Sequence, residues 1–378
     1  MDGDGAMSAL DEQRRGFGYG YRMTCECGDT SAISAADYQA AASVDARMPC
    51  DHCARTIHFG PAVAALWDPN DPALDNTRIN QLAWYHTSTQ ADWPLDDYVN
   101  TQKATLLAGA DRILADGLNG HLKRQLEQTL HVGGYEAAIE NMLRRMCDQD
   151  DATAHFYLHR IALAVDPHRI NNGYRDENHE PAAQLTTTDL RDAGLDAVRY
   201  LNVHESTGSL SLAVLPEAIA WVQTISVPAN ALAPTHPDSL LRLIAHHQGA
   251  LEDLRASVPD ASAIEPHRLR MMQLGAAPDP DGIGAATAKH QNQVYEVWDT
   301  VTTALVKYYL AGISPVVAER FEEAMSTWRR HQPSPTIHEF ADFFAANAVS
   351  LTRPDAVTEL LGTQDPRATT STRSTPTE

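Results

Sequence analysis

Trp84-Tyr85-His86-Thr87-Ser88-Thr89 decides how this chain is read. Gln81–His86 has the apolar and aromatic content of a short strand, and the polar cluster after it marks where a strand meets a loop. A Trp93-Pro94 pair follows. Farther on stand His131-Val132-Gly133-Gly134-Tyr135 and Asn202-Val203-His204-Glu205, each beside an apolar stretch. Around these pieces the periodicity alternates. Helical spacing is expected over 98–116, through Val99, Ala104, Leu107, Ala110 and Leu114, again over 121–130, and over Glu136–Met146. Strands are expected over Phe156–Leu163, Val198–His204, Ser209–Val214 and Trp221–Val227, with one helical turn at 216–220. Helices early and short strands late predict an α+β domain over 77–230.

The flanks differ from this centre. Residues 1–20 are Gly-rich and polar and read as disordered. Residues 21–60 hold four of the five cysteines. Residues 68–76 read as turns. From 236 to 362 the pattern is helical, most clearly over Leu240–Arg255, Ala288–Ala311 and Pro315–Arg330, with shorter candidates at Ile337–Ala346 and Pro354–Leu361. The Thr/Ser/Pro-rich 363–378 reads as an unstructured tail. No internal repeat is visible.

The cysteines are spaced Cys25-Glu26-Cys27, then 22 residues, then Cys50-Asp51-His52-Cys53. Two thiol pairs from separated turns complete a tetrahedral S₄ set, which zinc prefers. The first pair has one intervening residue where two are usual. A closed Cys₄ site has no open position for catalysis, so its expected role is folding: some forty residues bury too little apolar area alone, and a metal supplies the difference. Such modules bind nucleic acid or protein. Asp29, Asp37, Asp45 and Asp51, with few basic residues, disfavour nucleic acid here. Cys147 reads as a small buried hydrophobe on a helix.

The chain has 378 residues, 43% hydrophobic, with 50 acidic and 29 basic side chains and a formal charge of −21. That surface repels nucleic acid at long range. Lysine occurs only at Lys103, Lys123, Lys289 and Lys307. No apolar run approaches a membrane span, no signal-peptide core is seen, and five cysteines suit a secreted disulfide scaffold poorly. A cytoplasmic protein is expected.

Tyr85-His86-Thr87-Ser88-Thr89 resembles the first motif of ADP-ribosyltransferases of the His-Tyr-Glu type, with Thr87 where glycine is common. His131-Val132-Gly133-Gly134-Tyr135-Glu136-Ala137-Ala138 resembles their second motif, Tyr157–Leu163 the core strand that follows, and Glu205 before Ser206-Thr207-Gly208-Ser209 the acidic residue of the last. The resemblance covers roughly 79–228. It implies a split antiparallel β core and transfer of ADP-ribose from NAD to an acceptor, protein or nucleic acid, with release of nicotinamide. By the same resemblance, His86 bonds the adenosine-side ribose, Thr87 or Ser88 anchors the nicotinamide amide, and Tyr135 stacks on the ring. Glu205 bonds the nicotinamide ribose and stabilises developing positive charge. Arg160 is a further candidate, pairing with Glu205 or meeting a phosphate.

Each residue also has a plain structural reading. His86 can be a satisfied histidine at a strand end, Ser88 and Thr89 turn caps, Tyr135 a core aromatic, and Glu205 one acid among many. His131, the acidic run at 176–180 and His246-His247 are weaker candidates. No P-loop, Rossmann fingerprint or Gly-x-Ser-x-Gly elbow is present. A non-enzymatic, zinc-stabilised interaction protein is the alternative function.

Overall fold

A computed structural model describes residues 10–59, 64–94, 127–148 and 151–369. The expected helix at 98–116, most of that at 121–130, and the tail beyond 369 lie outside the described residues.

The N-terminal module consists of two small hairpins around a helix. Strands β1 (Tyr21–Thr24) and β2 (Thr30–Ile33) pair antiparallel. Helix α1 (Ala35–Ala42) follows, its first turn capped by the Ser34 hydroxyl accepting from Asp37 N. Strands β3 (Arg47–Pro49) and β4 (Thr56–His58) form the second hairpin. Residues 10–20 are not disordered as expected. Asp11 forms a parallel bridge to Leu82, and Phe17 and Tyr19 are buried. The physical reason is legible in retrospect: Phe17, Tyr19, Tyr21 and Met23 alternate at period two, and all four are buried.

The centre holds two four-stranded sheets. β5 (Trp84–Ser88), β7 (Phe156–Leu163) and β11 (Ile219–Val227) pair antiparallel in the order β11-β7-β5. β6 (Leu130–Val132), β9 (Ala197–Leu201) and β10 (Leu210–Val214) form the order β6-β10-β9 in the second. The two-residue β8 (Arg175–Asp176) adds to β9 in parallel, so this sheet is mixed where an antiparallel core was expected. A parallel neighbour needs a crossover, and the chain supplies one through the helix at Thr187–Asp192, which closes with a reciprocal Thr186–Asp189 capping box. Arg367–Ala368 (β12) completes the first sheet beside β11. These two residues fall in the segment expected to be an unstructured tail. Their ladder is backbone to backbone, which composition does not reveal.

Tyr85 and Gly133 join the two sheets, exchanging N–H···O bonds of 2.8 and 3.0 Å. Helix α2 (Tyr135–Asp148) leaves from that junction. With Thr187–Asp192 as α3, the C-terminal region comprises α4 (Asp238–Ala256), α5 (Pro266–Gln273), α6 (Ile283–Tyr309), α7 (Pro315–His331), α8 (Ile337–Thr352) and α9 (Pro354–Gly362). Among these α5 was not anticipated, although Glu265 capping a helix with Pro266 at its first position is a start signal. One apolar cluster runs from Tyr21 and Cys50 through Ile139 and Leu143 to Phe321 and Phe344. A second lies around Trp84, Ile161 and Leu212. Among the described residues, no helix is long and apolar enough to cross a membrane.

Candidate metal centre and the Glu205 pocket

Two turns bring the four cysteines together. Gly28 N bonds Cys25 O at 2.9 Å, and Ala54 N bonds Cys50 O at 2.9 Å, so each turn folds one pair of thiols inward. All four sulfurs lie within 4.8 Å of one another, with Cys25–Cys53 at 3.6 Å and Cys27–Cys50 at 3.8 Å. A tetrahedral ion with Zn–S bonds near 2.3 Å needs sulfurs about 3.8 Å apart, so the set fits structural zinc. Backbone N–H groups of Cys53 and His52 pull the Cys50 thiol down, while Cys25, Cys27 and Cys53 are raised, as expected of four thiols packed together. The shortened first pair does not prevent closure. His52 has its backbone N–H on Cys50 Sγ at 3.4 Å and is not among the clustered donors.

The sequence-expected catalytic residues do not all meet. His86 and Glu205 line one pocket of about 70 Å³, together with His131, Asn141, Tyr200 and Asn202. His86 Nδ1 lies 2.9 Å from His131 O, so it carries the proton and donates, leaving Nε2 as an acceptor. Burial holds His86 at about 3 and His131 at about 4, so both are neutral near pH 7. Trp93 stacks on the His86 ring at 4.3 Å. Glu205 accepts from Arg144 Nε at 2.5 Å and from Asn141 Nδ2 at 3.3 Å, both on one face of α2. Its own backbone N–H donates to Asn202 Oδ1 at 3.0 Å.

Tyr135 is elsewhere. Fully buried, it donates its hydroxyl to Ser350 O at 2.9 Å and packs edge-on against Tyr85 and Phe17. As the first residue of α2 it faces the helical core, and the tyrosines lining the pocket are Tyr85 and Tyr200 instead. Ser88 also turns away, with Oγ 3.0 Å from His159 Nε2 and 2.9 Å from Gln90 O, as a turn-capping serine does. Thr87 borders the pocket, but its buried hydroxyl donates to Ala138 O at 2.8 Å, so it fastens β5 to α2. Arg160 meets neither Glu205 nor the pocket; it pairs with Glu12 at 2.9 Å and with Gln223 at 3.0 Å. Period-two alternation puts Arg160 on the opposite face from His159.

Sequence reading missed Asn141 and Tyr200, which line the pocket, and Arg144, which holds Glu205 from beside it, and it gave Asn202 no role. A signal for Asn141 and Arg144 was available: they fall about one and two helical turns after Ala137, on the face of α2 that meets Glu205. Tyr200 is separated from any motif, and the register of β9 against β10 brings it in, whereas Asn202 opens the Asn202–Glu205 segment and its Oδ1 accepts from Glu205 N. Comparison with known protein families, with curated proteins and with solved structures finds no match for this chain.

Proposed function

We propose that this chain is a zinc-stabilised interaction protein. The single observation that carries this reading is the closed set of four cysteine sulfurs, which supports a structural ion and leaves no coordination position for a substrate. The exposed side chains support the interaction part. Of the seven large hydrophobics exposed among the described residues, five (Leu241, Val258, Leu274, Tyr295 and Tyr308) lie between 241 and 308. Their clustering in the segment that runs from α4 to α6, on the helices and at their ends, suits contact with another protein surface, and a charge of −21 disfavours nucleic acid as the partner. Metal analysis of purified protein should give one zinc per chain, lost in Cys50→Ser and kept in Cys147→Ser. Zinc retained in Cys50→Ser would remove this reading. Co-purifying partners should be lost with a Tyr295→Glu, Leu274→Glu double substitution that leaves the helical content intact.

A second reading is favoured by one observation, that His86 and Glu205 share a pocket beside the Tyr85–Gly133 junction of two sheets. It is ADP-ribose transfer from NAD, with Glu205 as the carboxylate near the ribose and His86 Nε2 as an acceptor for a hydroxyl. A cavity of about 70 Å³ is well below the ~300–1,000 Å³ typical of ligand pockets. NAD entry therefore requires the cavity to widen. Nicotinamide release from NAD that disappears in folded Glu205→Gln establishes this reading, and absence of release and of NAD binding removes it.

A further inference from the structure

The loop carrying Glu205 rests on the zinc module, not only on the sheet it belongs to. Ser206 has φ of +45°, a left-handed conformation that L residues rarely adopt. Neighbouring contacts hold it there. Arg15 Nη1 donates to Ser206 O at 3.1 Å and to Thr207 O at 2.7 Å, while Nη2 donates to Gly20 O at 2.7 Å, next to β1. The guanidinium lies 4.0 Å from the Tyr19 ring and 4.7 Å from the Trp67 ring. From the other side, Arg320 Nη1 on α7 donates to His204 O at 3.2 Å and pairs with buried Glu140 at 2.8 Å.

A backbone path leads from this loop to the metal ligands. Trp67 N donates to Gly208 O at 2.8 Å. Gly208 has φ of +87°, and a Cβ there would stand 2.7 Å from Ala65 O, so the two backbones are in close approach. Ala65 N donates to Arg22 O at 2.9 Å, and Ala64 bridges Met23. Arg22 and Met23 belong to β1, which runs into Cys25. A two-stranded hairpin of four-residue strands is marginal alone, so a bound metal adds to what buried Tyr21 and Met23 supply.

We propose that metal occupancy of Cys25, Cys27, Cys50 and Cys53 sets the position of the Glu205 loop, so that the pocket around Glu205 is assembled only in the zinc-loaded chain. Metal binding holds β1, β1 holds residues 64–67, and these hold Gly208. This inference rests on the zinc reading above and is independent of what the pocket binds.

Hydrogen exchange of the full chain tests it, with zinc measured in the same samples. Removing the metal with a chelator should speed exchange across 203–209 by about tenfold or more, while α8 stays protected. Lost protection over 21–59 with 203–209 unchanged overturns the proposal, because it means that buried Tyr19, Tyr21 and Met23 hold β1 without the ion. If chelation opens the whole chain, the Gly208→Ala variant decides. Its added Cβ breaks the approach to Ala65 with the metal bound, and faster exchange confined to 203–209 at one zinc per chain is expected. Unchanged exchange there overturns the proposal. Absence of bound metal in the purified wild type is a different outcome and removes the zinc reading itself.

Discussion

At the residue scale, burial separates side chains that sequence alone presents as equals. Tyr135 and Glu205 both carry motif-like positions, yet one is a core aromatic and the other borders a pocket. Tyr135→Phe deletes one hydrogen bond to Ser350 O and nothing else. We expect a loss of about 0.5–1.5 kcal/mol in denaturant unfolding with ligand binding at the pocket unchanged. The histidines give a pH signature. Burial pushes His159 down to about 3, as it does His86, and His131 to about 4. The folded state therefore binds fewer of these protons than the unfolded chain, whose histidines titrate near 6.5. Stability rises with pH through that window and is lost as pH falls from about 6.5 toward 4. Burial shifts Glu136 and Glu140 upward, which acts with the opposite sign from about pH 4.5 upward. His159→Asn should flatten the slope of unfolding free energy between pH 5 and 6.5 relative to wild type. An unaltered slope would mean that His159 is protonated in the fold.

At the element scale, what was legible was whatever a local pattern encodes. β7 and β9–β11 follow from β-branched and apolar runs, and α7 and α9 from helical spacing behind Pro315 and Pro354. β5 starts at Trp84, three residues later than the sequence suggests, because Leu82 and Ala83 are buried and apolar yet lie before the ladder, after the tight turn at Ile79–Gln81. β8 and β12 have two residues each, too few for any periodicity, and exist only because a neighbour offers its edge. Of the candidate site, the cysteine spacing was sufficient, whereas the pocket was half visible, since its α2 and β9 members depend on tertiary register. The junction of the sheets gives a sharp test. A Cβ at Gly133 would lie 2.6 Å from Ser211 Oγ and 3.1 Å from Ala137 Cβ. Gly133→Ala should cost about 1–3 kcal/mol by overpacking. Adding Ser211→Ala removes the closer of the two clashes and should recover part of that loss, which a double-mutant cycle of unfolding free energies measures.

At the scale of the whole molecule, charge is the term that local packing does not settle. Fifty acidic against 29 basic residues leave an excess of 21 negative charges on one chain. Several of the cations present are committed to particular acids, such as Arg144 to Glu205, Arg320 to Glu140 and Arg160 to Glu12. The excess repels itself across the surface, and that repulsion is relieved on unfolding. Salt should then stabilise the chain. The screening length falls from about 30 Å at 0.01 M to about 8 Å at 0.15 M, so long-range repulsion is damped first. Exposed pairs such as Arg78–Asp11 lose something too, but each is worth about 0–1 kcal/mol at most. Raising sodium chloride from 0.01 to 0.15 M should therefore lift the melting temperature by on the order of 2 °C. A fall instead would show that the partly buried pairs, above all Arg320–Glu140 and Arg144–Glu205, outweigh the repulsion. In that case Arg320→Met should reduce the fall, because it removes one of those two pairs and leaves Arg144–Glu205 in place.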